Sequence, residues 1–348
     1  MHVPDGFINA PVSAVTGVVA AGAIAVSLRG ARRELDEKTA PLAGLVAAFI
    51  FAVQMLNFPV AAGTSGHLLG GALAAILVGP YTGVLCVSVV LLMQGILFAD
   101  GGLTALGVNI TDMAITTTVV AYVLFRALVK VLPRTRRSVT AASFVAALVS
   151  VPAAALVFTA IYALGGTTDV PIGKVLTAMV GVHILIGIGE AAITALTVGA
   201  VIAVRPDLVH GARGLTAPLK LRVGGELVDA PAAAPAAARA GSTRKVWGFG
   251  IVTALLLAGF VSFYASASPD GLEKVAHDKG IDTKTTQHAS SDSPLADYSV
   301  KDVGDARLAG GLAGVIGVGA TVAVGSGVFW AVRRRRINSA PERTPETV

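Results

Sequence analysis

The sequence predicts an all-α polytopic membrane protein, with a bundle of seven helices followed by two further transmembrane helices. Hydrophobic residues make up 54% of the 348 residues, and charged residues only 14%. A soluble chain would carry about a quarter charged residues, so this composition does not fit a soluble protein. Apolar stretches of roughly 20 residues, the length that crosses a bilayer, recur along the chain.

Polar residues divide the chain into nine apolar segments of the length expected for membrane helices. The third and fourth are separated only by Gly79-Pro80, so they could be two full spans or a re-entrant hairpin. Basic residues follow the first segment instead of preceding it, unlike a secretory signal, so the N-terminus is expected to be retained. The segments are 9–28, 40–58, 60–79, 81–98, 103–129, 139–164, 175–204, 246–264 and 309–332.

The distribution of Lys and Arg predicts an N-terminus outside the cell and a C-terminus in the cytoplasm. Basic residues favour cytoplasmic loops, and with nine crossings every basic cluster falls inside. If 60–79 did not cross, the cluster at 130–137 would face outward, which favours a full span. Only six of the 27 basic residues are then external: Lys174, Lys274, Lys279, Lys284, Lys301 and Arg307. The net charge of +6 therefore reflects membrane topology and not nucleic-acid binding.

A change in composition separates two membrane parts. Residues 206–245 are rich in Ala, Pro and Arg, which is typical of a semi-flexible tether. The expected organisation is a membrane domain at 1–205, this cytoplasmic tether, a two-helix domain at 246–335 with an exterior loop at 265–306, and a cytoplasmic tail at 336–348. The acids of the exterior loop are scattered, so the loop could concentrate cations or could simply be solvated.

His2 is the most informative residue for chemistry. The amine of Met1, the amide nitrogen of His2 and the His2 imidazole can chelate one ion through adjacent rings. Three nearly coplanar nitrogens suit Ni(II) and Cu(II), with Co(II) tolerated. The turn triplet Pro4-Asp5-Gly6 would fold these residues back toward the bundle, and Asp5 is assigned a supporting role. The alternatives are a polar residue in a disordered terminus and a turn that merely leads into the first span.

His67 could supply a fourth nitrogen. It lies in the glycine-rich stretch 63–71, about seven residues into its predicted helix, a depth of roughly 10 Å that the N-terminus can reach. Gly66 and Gly70 have the spacing of small residues at packed helix interfaces. A hydrogen-bonded histidine within such an interface is the alternative interpretation.

Other polar residues interrupt apolar segments, where they usually mark a pathway or a buried pair. His183 and Glu190 are seven residues apart on one predicted helix face, so they could relay protons, although a structural or supporting role is preferred. Asp100, Asn109 and Asp112 are predicted to support the site and not to bind the ion.

Several functional classes lack sequence support. The single cysteine, Cys86, excludes an intramolecular disulfide and a multi-cysteine metal cluster. The sequence has no P-loop, so ATP hydrolysis by that route would have to come from a partner. It also has no common zinc-protease or serine-hydrolase motif. We therefore expect a protein that is not an enzyme and has no resident cofactor.

Four motifs resemble the CbiM/NikM substrate-binding components of energy-coupling factor (ECF) transporters for cobalt and nickel. They are MHVPDGF, GTSGHLLGG, QGILFADGGLTALGVNI and HILIGIGEAAIT, spread through the first seven segments. SPDGLE at 268–273 resembles the PDGLE-type, NikN-like component that accompanies them or is fused to them. Departures from the family pattern are mild, with Val3 where Ile is usual and Gly95-Ile96 before LFADGG.

The resemblance implies a bundle that captures Ni(II) or Co(II) from outside. It also implies a transmembrane coupling protein (CbiQ/NikQ-like) and two cytoplasmic ATPases (CbiO/NikO-like) as partners. In that family the ligands are the N-terminal amine, the amide and ring nitrogens of the second residue, and a later histidine. These roles fall on Met1, His2 and His67. The PDGLE resemblance favours nickel slightly over cobalt.

The leading functional prediction is the substrate-specificity component of an ATP-driven importer in the plasma membrane. Its expected partners are the lipid bilayer and the subunits named above, with no nucleic acid. The alternative is a proton-coupled secondary cation transporter that uses His183 and Glu190. A membrane enzyme with a buried metal ranks last because no motif supports it.

Overall fold

The computed structural model describes most of the chain as long apolar helices. Among the described residues, seven helices are long and apolar enough to cross a membrane. The predicted fold class is therefore confirmed, and the protein is a multi-pass membrane protein. The described residues are 1–36, 39–61, 63–133, 135–213, 220–223, 226–229 and 243–337.

The first part of the chain builds a bundle with a short antiparallel hairpin at one end. Asn9 begins the first helix, since its side chain accepts a hydrogen bond from the Val12 amide at 3.0 Å. A π-helical segment, Ile110–Thr116, joins the fifth helix to the sixth. The bounds are α1 Ala10–Glu34, α2 Thr39–Gln54, β1 Phe58–Ala61, β2 Thr64–Gly66, α3 Gly71–Val78, α4 Pro80–Leu97, α5 Leu106–Asn109, α6 Thr117–Val131, α7 Arg136–Gly165 and α8 Ile172–Val204.

The second part adds two long helices with a structured loop between them. The bounds are β3 Lys220–Val223, β4 Glu226–Asp229, α9 Thr243–Gly259, α10 Gly271–Lys279 and α11 Ala306–Ile337. The start of the predicted tether is more ordered than expected, because Leu208 and Val209 are apolar and pack into the core. The strands β3 and β4 pair within the tether. The rest of the tether, 214–219, 224–225 and 230–242, and the tail from 338 lie outside the described residues.

The prediction of a helix over 60–79 is wrong. This stretch is a β-hairpin, then a non-helical segment, then α3, whose eight residues span only about 12 Å. The ends of the stretch still lie at opposite ends of the bundle. The hairpin is next to Met1, whereas the Glu34 carboxylate at the end of α1 accepts from the Tyr81 and Thr82 amides at the start of α4.

His67 consequently lies in the non-helical segment, and its predicted position within a helix is corrected. Gly66 ends β2, and Gly70 precedes α3 with a φ of +91°, so these glycines do not form a helix-packing pair. Gly70 adopts a left-handed conformation that disfavours other residues. The chain can therefore turn abruptly from the extended segment into α3.

The second part packs directly on the first. In the described residues α2 lies against both α9 and α11, and α7 lies along α8. The loop between α9 and α11 also joins the core, where the rings of Phe98 and Tyr298 stack with centroids 4.8 Å apart. Phe51 lies beside Phe98 at a centroid distance of 5.3 Å. This packing places the loop over the end of the bundle that holds Met1.

Candidate metal centre

The N-terminal residues are threaded into the bundle. Met1 is 2% exposed and Val3 is fully buried. The route is fixed by main-chain contacts with the end of α7 and the loop after it, because the Asn9 amide donates to the Gly165 carbonyl and the Thr167 amide donates to the Phe7 carbonyl. A tail in solvent would not make these contacts, so the arrangement differs from a disordered terminus.

Asn109 and Asp5 hold this segment in register. The Val3 amide donates to Asn109 Oδ1 at 2.7 Å, and Asn109 Nδ2 donates back to the Val3 carbonyl at 3.2 Å. Asp5 Oδ1 accepts from the Thr104 amide at 2.8 Å and from its hydroxyl at 2.5 Å. Neither side chain reaches the Met1 amine in these contacts. The supporting role of Asp5 and Asn109 stays a prediction, and these contacts are the ones through which it would act.

The Met1 amine and His67 lie in direct contact. The ammonium nitrogen is 2.7 Å from His67 Nε2, in a buried environment. Nδ1 of His67 is 3.0 Å from the Leu68 carbonyl oxygen, so its proton points to that oxygen and the Nε2 lone pair faces the amine. The His2 and His67 rings stack at a centroid distance of 5.1 Å. The three residues predicted as ligands therefore lie together.

The His2 ring lies between two polar side chains of the α4 region. Its Nε2 is 3.1 Å from Gln94 Oε1, and its Nδ1 is 3.3 Å from Asp100 Oδ1. Burial lowers the pKa of the His2 imidazole to about 4, even though the Asp100 carboxylate acts in the opposite direction. The ring is therefore neutral at physiological pH and keeps a lone pair for a metal. Asp100 is itself held by the Tyr298 hydroxyl, which donates to Oδ2 at 2.6 Å.

Asp270, from the second part of the chain, completes the cluster. Its Oδ2 is 2.7 Å from the Met1 ammonium and 3.4 Å from His67 Nε2. Burial alone would raise the pKa of the Asp270 carboxyl, but the Met1 ammonium outweighs it and holds this pKa well below its usual value. Ligand atoms of His2, His67 and Asp270 all lie within 4.8 Å of one another. These residues could hold one metal ion.

The sequence did not identify Asp270 as a site residue. It was one of several scattered acids in a loop about 200 positions from His67. Two local signals included it: the SPDGLE motif at 268–273, and the Asp270-to-Glu273 spacing, which predicts a capping box at the start of a helix. That box is present at the start of α10, but it does not indicate where the helix docks.

Glu190 and His183 occupy separate positions near the centre. The Glu190 carboxylate accepts from the Leu69 amide at 2.6 Å and the Gly70 amide at 3.1 Å, next to His67. His183 Nδ1 lies 2.7 Å from the Met179 carbonyl oxygen, while its Nε2 has no hydrogen-bond partner in the described part of the chain. Both Asp112 carboxylate oxygens are likewise unpartnered there. Glu190 thus holds the backbone that carries His67.

A family model for the cobalt uptake substrate-specific transmembrane region matches residues 2–208. The chain belongs to the CbiM family. A second model, the PDGLE domain, matches residues 244–334 of this CbiM-family chain. The resemblance to a CbiM/NikM component fused to a PDGLE part is therefore confirmed.

Known proteins similar to this CbiM-family chain match mainly its first part. It is 40% identical over 209 residues to a putative metal transport protein of Haloquadratum walsbyi, covering 60% of this chain and 93% of that protein. It is 41% identical over 212 residues to a putative fused nickel transport protein NikMN of Archaeoglobus fulgidus, covering 60% of this chain and 68% of that protein. The crystal structure of a truncated transition metal transporter is similar with a TM-score of 0.52 and 28% identity, covering 58% of this chain and 99% of that chain.

Proposed function

We propose that this protein is the substrate-specificity component of an ATP-driven ECF-type importer of Ni(II) or Co(II). The observation that carries the proposal is the buried contact of the Met1 amine with His67 Nε2 at 2.7 Å, beside the His2 ring. The amine, the His2 amide and the His2 imidazole form adjacent chelate rings, and His67 adds a fourth nitrogen. Nitrogen-rich sets of this kind suit Ni(II) and Co(II).

An acidic cavity supports capture of a divalent cation. The cavity, of about 860 Å³, is lined by His2, His67 and one arginine, Arg307. Its lining also includes five acidic residues: Asp5, Asp100, Asp270, Glu273 and Asp297. Negative side chains in a concave site raise the local concentration of cations. We assign this face to the exterior, with the N-terminus outside and the C-terminus in the cytoplasm of the plasma membrane. The ion would then enter from outside.

Nickel is the favoured substrate. The PDGLE domain occurs here in one chain with the CbiM region, and the Archaeoglobus fulgidus relative with a similar first part is named a putative fused nickel transport protein. Binding of Ni(II) and Co(II) in competition, on purified protein tagged only at its C-terminus, tests this preference. Preferential retention of Co(II) from an equimolar mixture would contradict it.

The transport mechanism requires partners. A transmembrane coupling protein and two cytoplasmic ATPases would supply the energy and release the ion inward. A proton-coupled transporter would instead need proton carriers, but Glu190 holds the Leu69 and Gly70 amides. Vesicles that contain this chain alone with an imposed pH gradient should take up no Ni(II), whereas vesicles with the partners and ATP should. Uptake driven by the gradient alone would contradict the proposal.

A further inference from the structure

Asp270 divides its two carboxylate oxygens between two tasks. Oδ1 accepts from the Glu273 amide at 2.8 Å, and the Glu273 side chain accepts from the Asp270 amide at 3.3 Å, which closes the capping box of α10. Oδ2 takes no part in the cap and points to Met1 and His67. The cap therefore fixes the carboxylate in one orientation, with one oxygen left for the metal centre.

The loop that carries Asp270 is attached to the hairpin beside His67. The Ser65 amide donates to the Pro269 carbonyl at 2.9 Å, and the Ser65 hydroxyl donates to the Ser268 carbonyl at 2.7 Å. On the other side, a Cβ on Gly271 would lie 2.8 Å from the side chains of Ile186 and Val182 on α8. Asp270 is thus held between the hairpin and α8 by contacts on both sides.

The distances around Oδ2 match those of adjacent ligands on one ion. Donors at about 2.0–2.1 Å from a first-row metal, and at right angles to each other, lie about 2.9 Å apart. Met1 N is 2.7 Å from both His67 Nε2 and Asp270 Oδ2, and the remaining distance between these two acceptors is 3.4 Å. An ion placed among them would replace the ammonium protons that now bridge them.

We propose that Asp270 is an oxygen ligand of the transported ion, so that the metal centre is shared between the CbiM region and the PDGLE domain. The proposal rests on the proposed function. It adds a fifth donor to the four nitrogens of Met1, His2 and His67. It also balances charge, because a dication with one deprotonated amide and otherwise neutral nitrogens retains a net charge of +1. A buried uncompensated charge is costly, and the Asp270 carboxylate neutralises it.

The test compares Asp270→Asn with Asp278→Asn in the full chain, with Ni(II) alone as the probe. Asn also caps helices well, so Asp270→Asn preserves α10. Asp278→Asn is the matched control, since it makes the same change on the exposed side of α10, where Asp278 pairs with Lys274 and does not line the cavity. Affinity is measured by calorimetry, and the ligand set by X-ray absorption and magnetic susceptibility.

We expect the wild type and Asp278→Asn to bind one paramagnetic Ni(II) with an oxygen ligand. Asp270→Asn should bind Ni(II) about 10- to 100-fold more weakly. Its bound Ni(II) should be closer to a four-coordinate, planar geometry and therefore diamagnetic. Asp270→Ser, which also caps a helix, should behave like Asp270→Asn. Unchanged affinity and magnetism in both variants would overturn this inference alone. Absence of Ni(II) binding by the wild type would overturn the proposed function and the inference with it.

Discussion

At the scale of single residues, the proposed metal centre includes side chains that hold the N-terminal segment in place. Asn109 pairs with both polar groups of the Val3 backbone, and Asp5 is tied to Thr104. A flexible terminus loses conformational freedom when it binds a metal, so fixing it beforehand improves affinity. We therefore expect Asn109 and Asp5 to affect binding through the position of Met1 and His2.

Asn109→Ala should weaken Ni(II) binding by about 10- to 100-fold. The substitution leaves the buried Val3 amide without its acceptor, at a cost of about 1–3 kcal/mol, and each 1.4 kcal/mol is about tenfold in affinity. Asn9→Ala is the control, because it removes the exposed cap of α1 and leaves Val3 untouched. Calorimetry of both variants checks this prediction. An Asn109→Ala protein with wild-type affinity would argue against positioning through Val3.

Ni(II) affinity should fall as the pH is lowered from about 8 to about 6, because the metal must displace protons from the Met1 amine and the His2 amide. The His2 ring should contribute little to this loss. Burial holds the pKa of the His2 ring at about 4, so the ring becomes protonated only in stronger acid. The titratable groups that face it are Asp100, Asp270, His67 and the Met1 amine. Calorimetry in buffers of different ionisation enthalpy measures the proton release. A Ni(II) affinity that does not change with pH, and binding that releases no protons, would contradict this prediction.

The proposed ligands of the first part, Met1, His2 and His67, could be predicted from the sequence, whereas Asp270 could not. Met1 and His2 are neighbours, so their chelate geometry follows from covalent structure alone. The contact of Asp270 with Met1 joins residues 269 positions apart and depends on how the loop packs on the β1–β2 hairpin. Local patterns predict the capping box of α10, but they contain no information about this docking.

At the scale of secondary-structure elements, the apolar segments were predictable where they form long helices. The exception is 60–79, whose composition is as apolar as its neighbours. Leu68, Leu69 and the whole of α3 are buried, so apolar character here reflects a protein core and not contact with lipid. Non-helical backbone at such a position needs internal hydrogen bonds, and Glu190 supplies two of them.

Gly71→Ala should destabilise the bundle. A Cβ at this position would lie 1.8 Å from Thr117 Oγ1 and 2.8 Å from the Thr118 backbone nitrogen, so α3 and α6 would have to separate. Overpacking of this kind costs about 1–3 kcal/mol. Thermal unfolding in detergent should show a lower Tm than the wild type. Gly22→Ala in α1 is the matched control, since its Cβ would meet nothing within 4 Å. Equal Tm values for the two variants would contradict the predicted crowding.

At the scale of the whole molecule, the second part covers the site that the first part builds. The Ser266 amide donates to the Asn57 carbonyl at 2.7 Å, and the Asp297 amide donates to the Phe98 carbonyl at 2.9 Å. The loop is therefore not the free, solvated segment that its composition allows. The cavity is therefore lined by residues from both parts of the chain.

A cysteine pair at Asn57 and Ser266 should form a crosslink between the two parts. The native Cys86 is buried, so the introduced thiols are the ones that react. With a protease site engineered into the tether, the oxidised double variant should remain one band after cleavage on a non-reducing gel. Each single variant should separate into two fragments. Complete separation of the double variant under oxidising conditions would show that the loop does not dock at this position.

The most direct measurement is a Ni(II) titration that compares the native N-terminus with a protein carrying Gly-Ser before Met1. The extension moves the free amine away from His67 and turns the Met1 nitrogen into an amide. A chain with Gly-Ser added at its C-terminus is the control. We predict one bound Ni(II) for the native and control proteins, and no stoichiometric binding for the extended protein, although it remains folded and monodisperse. One Ni(II) bound by the extended protein with native affinity would contradict a metal centre built on the Met1 amine.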